Sequence, residues 1–166
     1  MTALAAKVLE VAAGEIGVRE VGRNRGERVE TYLACVGLEP GNPWCAAFVS
    51  FCYLMASREL ALPCPLHITG GALKLLRFAD PSERSEEPAI GAVFVIDHGG
   101  GLGHVGIVEQ VERDHLVTIE GNSDGGGSRE GDGVYRRVRR RVDINRGYIV
   151  PRERQGPGAV PSSEIG

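Results

Sequence analysis

The chain has 166 residues, of which 42% are hydrophobic and 25% charged, so its size and composition fit one globular domain with its own core. A net charge of -3 and an aromatic content of only 5% argue against a nucleic-acid-binding or membrane-surface protein. Lys7 and Glu10 interrupt the apolar N-terminal pattern, which therefore predicts neither a signal peptide nor a membrane span, and we expect synthesis in the cytoplasm.

The first half of the chain has the periodicity of helices. Apolar residues recur at helical spacing over 4–12 and again over 25–36. Residues 45–60 are apolar on nearly every side through their first turns, as in a helix buried inside a core. A further short helix is predicted over 69–78, and residues 79–88 are then expected to form an exposed connection.

The second half has the signals of strands. Runs of β-branched residues alternate with glycine-rich or charged turns, over 91–97, 104–112, 115–121, 133–142 and 147–150. Helices followed by strands predict an α+β domain over 1–151, with N-terminal helices packed on a C-terminal antiparallel sheet. The segment 152–166 has no periodicity and is expected to be disordered. We expect a monomer.

The stretch "PWCAAFVSF" places Cys45 where a glycine- and proline-rich loop meets the buried helix. Unpaired backbone N–H groups and the positive end of a helix favour a thiolate at such a position, so Cys45 is the predicted nucleophile. The alternative is simple packing, because cysteine is among the most buried residue types. The spacing of the four cysteines matches no zinc site, and no metal is expected.

A thiolate nucleophile needs a histidine that takes up and returns a proton. His104 is the best candidate because it opens a predicted strand, beside glycines that would admit substrate. His67, His98 and His115 lie in predicted loops and turns and remain alternatives.

A third group must hold the histidine in the correct tautomer. The stretch "TIEGNSD" supplies Glu120 and Asn122 at the end of a predicted strand, where period-2 spacing directs both to one side. We therefore predict that Glu120 orients the imidazole, with Asn122 beside it. The alternative is that these residues only begin a flexible turn, since "NSDGGGSREGDG" reads as a mobile loop flanking the cleft.

Taken in order, "WCAAFVSF", "GHVGIV" and "IEGN" resemble the CHAP domain, the cysteine- and histidine-dependent amidohydrolase/peptidase group of the papain-like NlpC/P60 superfamily. The resemblance covers roughly the first 150 residues. It implies a papain-like fold in which Cys45 is the nucleophile and His104 the general base and then acid. It also implies that Glu120 orients the imidazole and that Asn122 gives further polar support.

The resemblance implies peptidoglycan as substrate, cut at the amide between N-acetylmuramic acid and L-alanine, or in the stem peptide or cross-bridge. Trp44 stands where some of these enzymes have a glutamine, and no aspartate cluster precedes Cys45, so calcium and other cofactors are not expected. Trp44 and Gly103 are candidate substrate contacts. Asn42 is the candidate for a second donor to the oxyanion.

The predicted function is a cell-wall hydrolase that works by acyl transfer. The alternative is a catalytically silent module of the same fold that binds peptidoglycan or serves in a virion. Three biological uses stay open: a phage lysin released by a holin, an injected effector with an immunity protein, and a remodelling enzyme. The arginines from Arg136 to Arg141 alternate imperfectly with valines, which favours a strand with one solvated face over a patch that attracts acidic groups of the wall.

Overall fold

A computed structural model of the chain describes residues 1–123 and 131–154. Within these ranges four α-helices precede six β-strands. The helices are α1 (Ala3–Gly14), α2 (Glu27–Cys35), α3 (Cys45–Glu59) and α4 (Ala72–Phe78). The strands are β1 (Arg84–Ser85), β2 (Val93–Gly99), β3 (Leu102–Val111), β4 (His115–Ser123), β5 (Gly133–Arg140) and β6 (Tyr148–Ile149).

The strands form one antiparallel sheet in the order β1-β6-β2-β3-β4-β5. The predicted α+β class, with helices first and an antiparallel sheet after them, is confirmed. The expected exposed connection over 79–88 is wrong in part. Its Glu83 is buried behind a 3-10 turn, and β1 within it pairs with β6 at the edge of the sheet.

Helix α3 is the centre of the core. It contacts α1 and α2 on one side and β3 and β4 on the other, which is why it needs apolar residues around its whole circumference. Between the helices and the sheet, Phe48 and Val49 of α3 share one core cluster with Val105, Ile107 and Ile119. This packing fixes the start of α3 against the middle strands.

The other face of the sheet carries a smaller apolar cluster that includes Phe94, Val108 and Leu116. The arginine-rich strand has one solvated face, as predicted; that face includes Val138, which is 67% exposed, while Arg139 on the opposite face is partly buried. Strand β5 is an edge strand, and no helix covers Val138. On the opposite face, Arg139 binds a buried carboxylate of β4, described below.

The described part of the C-terminal segment, residues 152–154, is hydrogen-bonded to the rest of the domain. The backbone N–H of Arg152 donates to the buried Glu83 carboxylate at 2.9 Å, and a Glu153 carboxylate oxygen accepts from the N–H of Leu4 at 2.6 Å. The rest of the predicted tail, 155–166, lies outside the described residues. So does most of the predicted mobile loop, at 124–130.

In the part of the chain that the structure describes, none of the helices combines the length and the apolar character that crossing a bilayer requires.

Gly121 tests how closely α3 packs on β4. A Cβ at this position would lie 2.6 Å from Cβ of Phe48 and 2.7 Å from Cζ3 of Trp44. We expect Gly121→Ala to lower the free energy of unfolding by about 1–3 kcal/mol in urea denaturation, because the packed core has no room for the methyl group. Gly14→Ala, whose Cβ would meet nothing within 4 Å, is the control and should be neutral or mildly stabilising. Equal effects of the two substitutions would contradict the close packing.

Candidate active site

Cys45 is the first residue of α3, as the sequence predicts, and it is only 6% exposed. The residue before the helix, Trp44, provides no side-chain cap, so the first backbone N–H groups of α3 remain available near the sulfur. The backbone N–H groups of Ala46 and Val105 both donate hydrogen bonds to the Cys45 sulfur. A negative charge on this sulfur is therefore favoured by its surroundings.

Trp44 has a structural position instead of a substrate contact. Its side chain is fully buried, stacks on Tyr32 with ring centroids 5.6 Å apart, and donates from Nε1 to Oε1 of Glu20 at 2.6 Å. The prediction that the Trp44 side chain contacts substrate is therefore wrong. A large aromatic residue here fastens the end of the loop to α2, which fixes the place where α3 begins.

His104 lies near the start of β3, beyond the part of that strand that pairs with β4. The β3–β4 pairing begins at Ile107, opposite Ile119, so the strands diverge before they reach His104. Its Nε2 lies 2.7 Å from Oε2 of Glu120, and its other nitrogen is left for the Cys45 thiol, with which the ring is hydrogen-bonded. Nε2 donates to the carboxylate, which can only accept when ionised.

Glu120 is a fully buried carboxylate on β4. Oε1 accepts from the Thr118 hydroxyl at 2.6 Å and from Nε of Arg139 at 2.5 Å. Oε2 accepts from Nη2 of Arg139 at 2.6 Å and from the Ser123 hydroxyl at 3.3 Å, in addition to His104. A buried charge persists only when it is paired and hydrogen-bonded, and Glu120 meets both conditions.

The pKa values of the three groups are shifted together. Burial alone would raise the pKa of Glu120, but hydrogen bonds from Arg139 and His104 outweigh it and hold this pKa well below its usual range. Burial alone would lower the pKa of His104, but its hydrogen bonds to Cys45 and Glu120 raise it to about 9. For Cys45, burial raises the pKa of the thiol, but the His104 hydrogen bond and charge outweigh this and bring it below the ordinary value.

These shifts favour a thiolate–imidazolium pair at neutral pH. The thiol pKa values of the other three cysteines are shifted in the opposite direction. Burial raises the pKa of Cys35 to about 11, and it also raises the pKa values of Cys52 and Cys64. Cys45 is therefore the cysteine whose surroundings favour the thiolate, and packing alone does not explain those surroundings.

The Cys45–His104 pair opens into a cleft of about 210 Å³. Gly103 and Asn122 are both among the residues that line it. Asn122 adopts a positive φ of 52° and its Oδ1 is buried without a partner among the described atoms. Asn42 is not among the described residues that line the cleft, and its amide donates to the carbonyl of Glu39 at 2.8 Å; its role as a donor to the oxyanion stays a prediction.

Two of the alternative histidines lie away from Cys45, and the third reaches the cleft from another element. His67 packs against the ring of Phe78 with centroids 4.5 Å apart, and His115 lies exposed at the start of β4. His98 does line the cleft, from the exposed β2–β3 hairpin, together with Leu102. Only His104 joins Glu120 to Cys45 among the residues described.

Sequence reasoning missed three further groups that bind Glu120: Thr118, Ser123 and Arg139. A signal for Thr118 existed, because it lies two residues before Glu120 and so shares its face of the strand. Arg139 had no comparable signal, since its place depends on the register of β5 against β4. Among residues 1–123 and 131–154, no group of three or more His, Cys, Asp or Glu side chains could hold a metal ion.

Comparison with known proteins agrees with this site. The model of the CHAP domain matches residues 37–122, just over half of the chain, a segment that includes Cys45, His104, Glu120 and Asn122. The chain belongs to the CHAP domain family.

Two solved structures are similar to this CHAP domain in fold. The crystal structure of Ly7917 aligns with a TM-score of 0.54 and 21% identity, and that of Ly7917 with the hydrolyzing product of MDP aligns with 0.52 and 20%. Each alignment covers 89% of this chain but only 62% of Ly7917. A search among curated proteins found none that matches the chain.

The depressed pKa of Cys45 predicts selective alkylation. At pH 6–7 iodoacetamide should modify Cys45 ahead of Cys35 and Cys52, because it reacts with the thiolate. His104→Gln should move the pH dependence of this labelling upward, since the imidazolium that lowers the pKa of the thiol is gone. Peptide mass spectrometry measures the labelling at each cysteine. His115→Gln is the matched control, and an unchanged profile in His104→Gln would contradict the ion pair.

Proposed function

We propose that this CHAP domain hydrolyses an amide bond of peptidoglycan by acyl transfer through Cys45. The observation that carries the proposal is that one imidazole, His104, is hydrogen-bonded to the Cys45 thiol on one side and to the buried Glu120 carboxylate on the other. This is the arrangement that activates a sulfur nucleophile and keeps a proton ready for the leaving group.

In the first step the Cys45 thiolate attacks the carbonyl carbon of the amide, and a carbon–sulfur bond forms. The electron pair of the carbonyl moves to its oxygen, beside the N-terminus of α3, where the N–H of Cys45 can donate to it. When the tetrahedral intermediate collapses, the carbon–nitrogen bond breaks and the imidazolium of His104 protonates the departing amine. A thioester on Cys45 remains.

In the second step water cleaves the thioester. Neutral His104 takes a proton from the water as its oxygen attacks the carbonyl carbon, and the carbon–sulfur bond then breaks to release a carboxylic acid. The sulfur leaves as a thiolate and His104 keeps the proton, which restores the starting ion pair. Glu120 accepts the hydrogen bond from Nε2 throughout and stabilises the imidazolium.

The substrate class rests on family membership and on the site. A cleft with a reactive thiolate suits amide bonds, and both the muramoyl–alanine amide and the peptide bonds of the wall have this chemistry. The neighbouring structure of Ly7917 was determined with the hydrolyzing product of MDP, and MDP is therefore a substrate to test alongside whole sacculi. The site chemistry is the same for an amidase and for an endopeptidase.

Digestion of purified sacculi tests the proposal. Wild-type protein should release soluble fragments, and Cys45→Ala should release none above background, because no other cysteine has a lowered pKa or an imidazole partner. Mass spectrometry of the fragments, with labelling of new amino groups, identifies the bond. Cys64→Ala, a half-buried cysteine away from the cleft, is the matched control and should remain active.

Two outcomes would contradict the proposed hydrolase activity of Cys45. If folded Cys45→Ala solubilises sacculi as fast as wild type, Cys45 takes no part in the reaction. Wild-type protein that pellets with sacculi but releases no new amines would favour the non-enzymatic binding module.

The pH dependence of hydrolysis follows from the ion pair. The rate should rise with pH as Cys45 ionises, at a pH below the ordinary range of a thiol, and it should fall near pH 9 as His104 loses the proton that the leaving amine needs. A plot of kcat/KM against pH measures both limbs. An acid limb near pH 8.5, typical of an unperturbed thiol, would contradict the proposed pair.

The location of the substrate gives a test in cells. Peptidoglycan lies outside the cytoplasmic membrane, so we propose that the protein acts after release by a holin or delivery by a secretion machine, the latter with an immunity protein. We expect a version exported to the periplasm to lyse its host and a cytoplasmic version to leave it intact. Cys45→Ala should be harmless in both places, and lysis by the cytoplasmic version would point to a different target.

A further inference from the structure

We propose that Arg139 is a positioning residue of this active site, which holds the Glu120 carboxylate ionised and turned toward His104. The proposal deepens the proposed function, since it concerns the same site, but part of its test needs no substrate. Arg139 makes no contact with the thiol; it acts through Glu120.

The contact between Arg139 and Glu120 is a two-bond fork. Nε donates to Oε1 at 2.5 Å and Nη2 donates to Oε2 at 2.6 Å, so the guanidinium fixes the plane of the carboxylate as well as its position. With that plane fixed, Oε2 is also the oxygen that lies 2.7 Å from Nε2 of His104. One rigid cation thus determines which oxygen faces the imidazole.

Strand register alone would not bring these two residues together. Arg139 is opposite Leu116 in the β4–β5 pairing, whereas Glu120 is opposite Tyr135. The arginine side chain leans along the sheet to reach Glu120, and its guanidinium carbon lies 5.3 Å from the centre of the Phe94 ring. A long side chain directed in this way is an arrangement that a merely solvated arginine would not adopt.

Gly106 leaves the space in which this cluster assembles. A Cβ at Gly106 would lie 2.7 Å from Cγ of Glu120 and 2.7 Å from Cε1 of Phe94. The absence of a side chain on β3 therefore lets Glu120 and Phe94 meet above the sheet, next to the guanidinium of Arg139.

The effect of Arg139 on pH dependence has a definite sign. Among the described residues, the ionisable groups on the same face as Glu120 are His104 on β3 and Tyr135, Arg137 and Arg139 on β5, with Cys45 of α3 beyond His104. Removal of the Arg139 cation raises the pKa of Glu120 and takes away a positive charge that favours the Cys45 thiolate. Both effects raise the pKa of Cys45, so its ionisation shifts to higher pH.

The first measurement is the rate of iodoacetamide labelling of Cys45 against pH in Arg139→Met and Arg139→Lys. For Arg139→Met we expect the midpoint to rise by about one pH unit. Arg139→Lys keeps the charge but cannot form the fork, so its midpoint should stay near that of wild type. Arg136→Met is the matched control, because Arg136 forms the same two-bond fork with Glu109 away from the cleft, and its midpoint should not move.

The second measurement is kcat on sacculi-derived fragments. We expect Arg139→Lys to lose on the order of ten- to a hundredfold in kcat with little change in KM, because the carboxylate is less well oriented. Glu120→Gln and the double variant Glu120→Gln with Arg139→Met should have similar kcat, since the Glu120 carboxylate through which Arg139 acts is absent from both. Arg139→Met alone leaves the buried Glu120 carboxylate without its cation, whereas the double variant has neither charge. If Arg139→Met alone does not fold, the double variant still tests the positioning role.

The outcomes separate this proposal from the proposed function. Labelling midpoints and kcat values in the Arg139 variants that match those of Arg136→Met would overturn the positioning role, even if wild type is an active hydrolase. A further large loss of kcat on adding Arg139→Met to Glu120→Gln would also overturn it, because Arg139 would then act independently of Glu120. Inactive wild type with a shifted labelling midpoint in Arg139→Met would leave the positioning role standing and reject only the hydrolase.

Discussion

The carboxylate of Glu120 is the constraint around which the site is organised, because a buried negative charge must be matched on every side. Glu120 has no exposed surface, and its two oxygens accept from a hydroxyl, a guanidinium and an imidazole. Each partner comes from a different place in the sequence. The register of β3, β4 and β5 is therefore fixed by a charge as well as by apolar packing, since a shift in register would leave the charge unpaired.

Helix α3 connects this charge cluster to the hydrophobic core. Its apolar residues pack against two helices and two strands, and its N-terminus ends in an uncapped turn directly at the sheet. Trp44 fixes the start of the helix through its contacts with Tyr32 and Glu20. The same packing that stabilises the domain thus holds Cys45 beside His104, and the nucleophile needs no flexible loop to reach its partner.

The divergence of β3 and β4 gives the thiol its access to the sheet. Where the two strands separate, the N–H of Val105 is not used in the β3–β4 pairing and donates to the Cys45 sulfur. The imidazole of His104 lies at the same opening, against Phe94, and is partly exposed to the cleft. A reactive group is thereby both shielded by the core and open to a substrate on one side.

The sequence predicted most of the helices and strands within a few residues, because their hydrophobic periods are clear. It was wrong about one connection. Residues 79–88 were predicted to be an exposed connection, yet they include the buried Glu83 and a short strand, since polar residues can be buried when they have partners. In β5 the alternation predicted one solvated face but not that Val138 lies on it, because burial depends on what covers an edge strand and not on the strand itself.

By itself, the sequence determined the α+β class, the helix that begins at Cys45, and the order of Cys45, His104 and Glu120 along the chain. These features depend on local patterns and on residue chemistry, which sequence displays directly. Only the tertiary structure decided that Trp44 is buried against Tyr32 and Glu20, that the Asn42 amide donates to Glu39, and that Arg139 binds Glu120. Those outcomes depend on strand register and on contacts between residues far apart in the chain, which no local pattern encodes.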